Sequence, residues 1–158
     1  MKLKKEFFLV IGISVFIIVL EIVTNIITEK SVEKIENQIN EINSDLAKIS
    51  DMNIENEKYK SYKMELERKI DKLKSSWFEE QDKLCVFSEH NELEKVSKCL
   101  IVLEENTRNK EFEIALSDGK EFLYWLNHIK EKDKLELKNI FWNEKATWIY
   151  YIIYSCSL

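Results

Sequence analysis

Residues 7–27 read FFLVIGISVFIIVLEIVTNII, an apolar run that decides where the rest of the chain is placed. As a helix, the run is about 31 Å long, which matches a bilayer core of about 30 Å. A core helix would show a polar face, but from Phe7 to Leu20 only Gly12 and Ser14 interrupt the apolar side chains. A removed signal would be shorter and end in a small-residue cleavage site, which the exit TNIITEK lacks. We therefore predict an uncleaved transmembrane anchor.

The charges on either side of the anchor predict its orientation. Residues 1–6 carry three lysines against one glutamate, whereas the lysines that follow the anchor are interspersed with glutamates. Positively charged flanks remain in the cytoplasm. We predict a single-pass protein of the cell membrane with residues 1–6 in the cytoplasm and everything after about Thr28 outside it.

The anchor contains one acidic residue, Glu21. It lies about 21 Å from the start of the run, where an ionised carboxylate costs a few kcal/mol. One interpretation is a contact inside the membrane with another membrane protein or with a second copy of the chain. The other is a residue near the outer interface that reaches headgroups and water beside Thr24 and Asn25.

The composition predicts an all-α fold. The 158 residues include two glycines and no proline, and 34% of them are charged. Long helices exclude glycine and proline, whereas turns and strands use both. The net charge of −5 gives a mildly acidic surface, which argues against a nucleic-acid partner because phosphates require a basic face.

Residues 28–53 carry a narrow heptad pattern. Apolar side chains recur at intervals of three and four, and polar residues occupy the other positions. The pattern predicts a membrane-proximal helix that uses this seam either for self-association or for docking onto the later helices of the same chain. The residues predicted to make the contacts are Ile35, Ile39, Ile42 and Leu46.

Residues 54–142 predict several amphipathic helices joined by short connections. Short connections make neighbouring helices antiparallel, so we predict a small antiparallel helical bundle. Trp77 lies at helical spacing from Leu73 and Leu84, which indicates a core residue rather than a ligand contact. Gly119 interrupts one helix and is a candidate for a kink.

The tail, residues 143–158, differs from the rest because aromatic and isoleucine residues alternate in it. It is too short to cross a membrane. Aromatic rings suit a membrane interface, and the same residues would also suit a last element that closes the bundle core. The candidate interface residues are Trp148, Tyr150, Tyr151 and Tyr154.

The chain lacks a recognisable catalytic, metal or cofactor motif. A metal site would need three or four converging ligands, and around His90 and His128 the sequence has no H-x-x-x-H or C-x-x-C spacing. The three cysteines are too few for a disulfide framework, and their apolar neighbours suggest small buried side chains. A bridge between Cys85 and Cys99 is disfavoured because their depths along an antiparallel hairpin differ by roughly 9 Å.

Two segments carry a resemblance to a known family. SSWFEEQDKLCVFSEHNELEKV, residues 75–96, and LNHIKEKDKLELKNIFW, residues 126–142, resemble a bacterial family of membrane-anchored helical proteins, the domain of unknown function 4363. The resemblance implies an anchor followed by a helical bundle, and it implies no activity. It leaves the tail uncovered.

These observations predict a non-enzymatic membrane protein without cofactors. Its partners would be the lipid bilayer and either another membrane protein or a second copy, contacted by the bundle outside the cytoplasm. The alternative is a ligand-sensing bundle that signals through a partner, since the predicted cytoplasmic part is only about six residues long.

Overall fold

A computed structural model describes the backbone of residues 2–52 and 57–132 and the side chains of residues 7–52 and 58–132. This part of the chain consists of four helices and contains no strand, which confirms the predicted all-α fold. The predicted tail, with Trp148, Tyr150, Tyr151 and Tyr154, lies outside the described residues. The helices are α1 (Lys2–Ser50), α2 (Glu57–Leu84), α3 (His90–Arg108) and α4 (Phe112–Lys132).

Helix α1 is continuous and joins two parts with different surroundings. Its 49 residues correspond to a length of about 73 Å. The first part, which we call the apolar segment (residues 7–27), makes α1 the one helix among the described residues that is long and apolar enough to cross a membrane. None of the most apolar stretch of this segment is buried against the rest of the protein. The second part, residues 28–50, packs against other helices.

The four helices form an antiparallel ring around one core. Helix α1 packs against α2 and α4, and α3 packs against the same two helices from the opposite side. The predicted helical bundle is therefore confirmed. Each helix contributes side chains that are almost completely buried, among them Ile35, Leu73, Trp77, Leu93, Leu100, Phe122 and Leu126.

The bundle has two ends, which we call proximal and distal. The proximal end is where the apolar segment of α1 enters the bundle near Thr28. The end of α2 lies there too, because Glu80 bonds to Ser31, and so does the end of α4, because Lys132 bonds to Glu92 at the start of α3. The distal end holds the other helix termini.

Gly119 does not interrupt its helix, since α4 is assigned as one helix from Phe112 to Lys132. The glycine is buried, and a Cβ atom at this position would overlap the side-chain oxygen of Asn43 on α1. The missing side chain therefore allows α4 to approach α1 closely. This contact explains the glycine better than the kink that the sequence suggested.

Candidate functional site

The predicted contact seam of α1 lies inside the bundle. Ile35, Ile39, Ile42 and Leu46 are all at most 1% exposed and belong to the same buried cluster as side chains of α2, α3 and α4. Of the two uses left open by the sequence, the structure shows docking onto the chain's own helices. These four side chains offer no surface to a second copy of the folded bundle.

Glu21 lies on the continuation of this seam. It precedes Ile35 by two heptads, with Thr28 halfway between them, so all three residues lie on one side of α1. Thr28 is buried and Glu21 is half-buried. Among the described residues, no side chain forms a hydrogen bond or an ion pair with Glu21. Its carboxylate is therefore the acidic group in the apolar segment that the described chain leaves unsatisfied.

The polar residues near the end of the apolar segment gather on this same side. Thr24 and Asn25 are half-buried, whereas Ile22, Val23 and Ile26 on the other sides are exposed. The Thr24 hydroxyl donates to the Leu20 carbonyl at 3.0 Å, so the helix itself satisfies it. We call Glu21, Thr24 and Asn25 the polar face of the segment.

At the proximal end, a buried carboxylate connects α1 to α2. Glu80 accepts hydrogen bonds from Ser31 at 2.8 Å, from Lys34 at 2.7 Å and from Lys83 at 3.1 Å. Burial alone would raise the pKa of Glu80, but these donors outweigh it and lower the pKa to about 2. Glu80 is therefore a charged residue held in the wall of the bundle and fully paired.

A second carboxylate at the proximal end connects α3 to α4. The Glu92 side chain is buried, and Lys132 donates to it at 2.7 Å while also pairing with Glu89 at 2.9 Å. These bonds raise the pKa of Lys132. The ring of His128 approaches the same Glu92 oxygen to 3.4 Å. The pairs fix the ends of α3 and α4 beside the entry of the apolar segment.

Farther from the apolar segment, Asp45 connects α1 to α2. Lys69 donates to its carboxylate at 2.6 Å, Tyr62 at 2.8 Å and Lys48 at 3.2 Å. Burial would raise the pKa of Asp45, but the three donors outweigh this effect and lower it. Together with Glu80, this residue fixes the register of α1 against α2.

Sequence reasoning missed these buried carboxylates because charged residues on helices are commonly solvated. A signal existed for Glu80. The apolar face of α2 runs Leu66, Ile70, Leu73, Trp77 and Leu84, and Glu80 occupies the position that completes this spacing.

The described residues contain no group of three side chains that could hold a metal ion. His90 is exposed at the start of α3, and His128 contacts a single acidic residue. Trp77 is fully buried, donates its indole N–H to Ser97 at 2.8 Å and packs edge-to-face on Phe122. It is a core residue, as its spacing predicts.

The prediction that all the cysteines are buried is wrong for Cys85. Cys85 is exposed in the turn between α2 and α3, because this turn projects from the bundle instead of lining its core. Cys99 is half-buried, and burial raises the pKa of its thiol to about 11. Neither cysteine is bridged, in agreement with the depth argument.

One hollow opens at the distal end. Its volume is about 190 Å³, below the range of about 300–1,000 Å³ that is usual for small-molecule pockets. It lies between the end of α1 and the starts of α2 and α4 and is lined by Ile49, Ser50, Met52, Tyr59, Lys110, Phe112 and Glu113.

The fold and its proximal end define a class of protein, a four-helix bundle built onto a helix that is long and apolar enough to cross a membrane. The chain belongs to the family described as Domain of unknown function (DUF4363), whose model matches residues 22–140. The match covers the C-terminal end of the apolar segment and the whole described bundle, well beyond the two segments that carried the resemblance. Neither the curated proteins nor the solved structures contain a chain that matches it.

Proposed function

We propose that this protein is a non-enzymatic, single-span protein of the cell membrane that makes protein contacts through the membrane and through its bundle. The apolar segment is the anchor, with residues 1–6 in the cytoplasm and the bundle outside. The partner is another membrane protein or a second copy of the chain, and Glu21 contributes a contact within the membrane.

Two observations support the anchor. Large apolar side chains between Phe7 and Leu20 are 43–70% exposed on every side of the helix, which would be unfavourable in water. The Ser14 and Thr24 hydroxyls bond to carbonyls of their own helix, as hydroxyls do in apolar surroundings. The lysines of residues 1–6 support the orientation.

The polar face carries the proposal of a membrane partner. Polar groups inside a membrane are expensive, and they usually face another protein segment. Glu21 and Asn25 point to the side of α1 that the bundle uses for helix packing. A second span would pack on the same side of α1 within the membrane as α2 and α4 do within the bundle.

Cysteine crosslinking in membranes tests the contact. We expect Asn25→Cys, on the polar face, to form a disulfide-linked product of defined mass with a second copy or with a partner carrying a matching cysteine. The matched control Ile26→Cys, on an exposed side, should not. Glu21→Leu should abolish the product, and Glu21→Gln should retain part of it because an amide still donates and accepts hydrogen bonds.

If neither Asn25→Cys nor Ile26→Cys gives a crosslinked product, the chain has no membrane partner or its partner has no cysteine at a matching position. A second test uses a photoreactive residue at Asn25, which crosslinks partners that lack a cysteine. Absence of any Glu21-dependent product in both tests would overturn the proposal.

The alternative function, ligand sensing, has the distal hollow as its structural support. A small molecule that binds there would raise the unfolding temperature, and Ser50→Trp, which fills the mouth of the hollow, would cancel the shift.

A further inference from the structure

The turn between α2 and α3 exposes neighbouring apolar side chains that the contacts above do not explain, at the end of the bundle where the apolar segment enters. It comprises Cys85, Val86 and Phe87, which we call the proximal turn. Val86 is 72% exposed, more than any other large apolar side chain in the described part of the chain. Phe87 is 38% exposed. Burying such side chains is favourable by roughly 25 cal/mol per Å² of apolar surface, so their exposure indicates a binding surface.

The register of α1 against α2 gives the position of this turn along the bundle axis. Glu80 bonds to Ser31 and Lys34, so it lies level with the residues between them. Helix α2 continues for four residues beyond Glu80, about 6 Å, and this brings Leu84 level with about Thr28. Thr28 directly follows the apolar segment. The proximal turn therefore lies at or beyond the end of the membrane anchor.

The backbone of the turn holds its side chains outward. The Leu84 carbonyl accepts hydrogen bonds from the amides of Phe87, at 2.9 Å, and Ser88, at 2.8 Å. These bonds close the end of α2 tightly and leave the turn as a compact projection. Charged residues follow closely on both sides, Asp82 and Lys83 before it and Glu89 after it. Only a shallow apolar tip of two or three residues is therefore available.

We propose that the proximal turn inserts Val86 and Phe87 into the headgroup–acyl boundary of the bilayer that holds the anchor. This proposal rests on the proposed anchor function. The turn contacts the lipid surface because the anchor brings that surface level with the turn, at the same end of the bundle. Insertion gives the bundle a second attachment point, which holds its axis at a fixed angle to the membrane instead of leaving it to swing on α1.

Cys85 provides a native position for a depth probe. The full chain carrying Cys99→Ser and Cys156→Ser, in which Cys85 is the remaining thiol, is labelled at pH 7 with a small polar fluorophore. The protein is placed in vesicles of phosphatidylcholine and phosphatidylglycerol, and quenching is measured with phosphatidylcholine that carries bromine in its acyl chains. We expect at least about twofold quenching at position 85.

Two reference positions are labelled in chains whose three native cysteines are all replaced by serine. Ile18→Cys lies within the apolar segment and should be quenched. Ser50→Cys is exposed at the far end of α1, about 33 Å from Thr28, and should not be quenched. Quenching at position 18 without quenching at 85 would overturn insertion of the turn and leave the anchor intact. Loss of quenching at both positions would overturn the anchor itself.

A variant separates the effect of the apolar side chains on the quenching from the effect of the label itself. Val86→Ser with Phe87→Ser should remove most of the quenching at Cys85. Val86→Ser alone should remove part of it and leave the thermal unfolding of the bundle nearly unchanged, since this side chain is 72% exposed whereas Phe87 is only 38% exposed. The matched control is Met64→Ser, an exposed apolar residue on α2 far from the turn, which should leave the quenching unchanged. Unchanged quenching in the double variant would overturn the proposal.

Discussion

The two parts of α1 differ in how many isoleucines and valines they contain, eleven in residues 7–27 against five in residues 28–50, and in where these side chains lie on the helix. In residues 7–27 the apolar side chains surround the helix and remain exposed, whereas in residues 28–50 they form one narrow stripe that is at most 1% exposed. The two patterns suit two solvents, because a stripe can be buried against other helices in water and an all-round apolar surface requires lipid. The number of apolar residues and their distribution around the helix together distinguish the surroundings of the two parts.

The acidic residues of α1 show the same contrast. Asp45 is buried and has three donors from α1 and α2, whereas Glu21 has no partner among the described residues. A buried carboxylate is stable only when its oxygens are paired. The Asp45 carboxylate is therefore paired within the chain, whereas we propose that a partner supplies the pairing group for Glu21.

The largest expected effect compares one isoleucine in each part of α1. Ile39→Ala should lower the free energy of unfolding by about 2–4 kcal/mol, because it leaves a cavity in a fully buried seam. Ile17→Ala, at a position 56% exposed to the surroundings of the segment, should leave it unchanged within about 0.5 kcal/mol. Urea unfolding of the full chain in detergent micelles, followed by tryptophan fluorescence, measures both. Equal effects would contradict the division of α1.

The stability of the junction between the two parts of α1 should depend on pH through Glu80. Its pKa in the folded protein, about 2, lies below its ordinary value of 4.5, so its contribution to stability is complete above about pH 4.5 and disappears as the pH falls toward 2. Glu80→Gln should cost about 1–2 kcal/mol at pH 7, a discounted value because Lys34 and Lys83 are nearly half exposed.

Urea titrations at several pH values give the test for Glu80. The difference between the native chain and Glu80→Gln should shrink toward pH 2. The control, Glu94→Gln, removes an exposed pair with Lys98 within one helix and should give a much smaller difference. A cost for Glu80→Gln that does not vary with pH would show that its charge does not stabilise the junction.

The packing of the bundle part of α1 against α4 should depend on Gly119. Alanine is a better helix former by about 1 kcal/mol, but its methyl group would overlap Asn43. Gly119→Ala should therefore stabilise the native chain less than it stabilises the Asn43→Ala variant, in which the gain should reach up to about 1 kcal/mol. Thermal unfolding of the four chains of this double-mutant cycle measures the difference, and the same change in both backgrounds would exclude the contact.

The smallest effect on stability is expected for the acidic residue of the apolar part. Glu21→Leu should change the free energy of unfolding of the bundle by less than about 0.5 kcal/mol, because the residue lies outside the bundle core. The same variant should remove the crosslinked product at Asn25. Loss of bundle stability without loss of crosslinking would assign Glu21 a structural function within the chain.

Much of the fold could be predicted because its main signals are local. The length of the apolar segment, the three-and-four spacing of α1 and the near absence of glycine and proline each depend on neighbouring residues alone. The family resemblance covered two segments inside the matched region, residues 22–140.

The remainder depends on contacts between distant segments. The pairing of Glu80 with Ser31 requires the register of two antiparallel helices, and the contact of Gly119 with Asn43 requires the spatial order of α1 and α4. The exposure of Cys85 follows from a turn that projects, whereas its apolar neighbours suggested burial. The proximal turn was missed for the same reason, since its height beside the anchor appears only when the register is known.

The central claim is that α1 passes from the cytoplasm through the membrane into an external bundle. Labelling of intact cells with a membrane-impermeant maleimide tests it most directly, in chains whose native cysteines are replaced by serine and which carry either Lys4→Cys or Ser44→Cys. Ser44 is exposed on the bundle part of α1. We predict that position 44 is labelled in intact cells and that position 4 is labelled only after the membrane is permeabilised. Labelling of position 4 in intact cells, or of neither position until permeabilisation, would contradict the account.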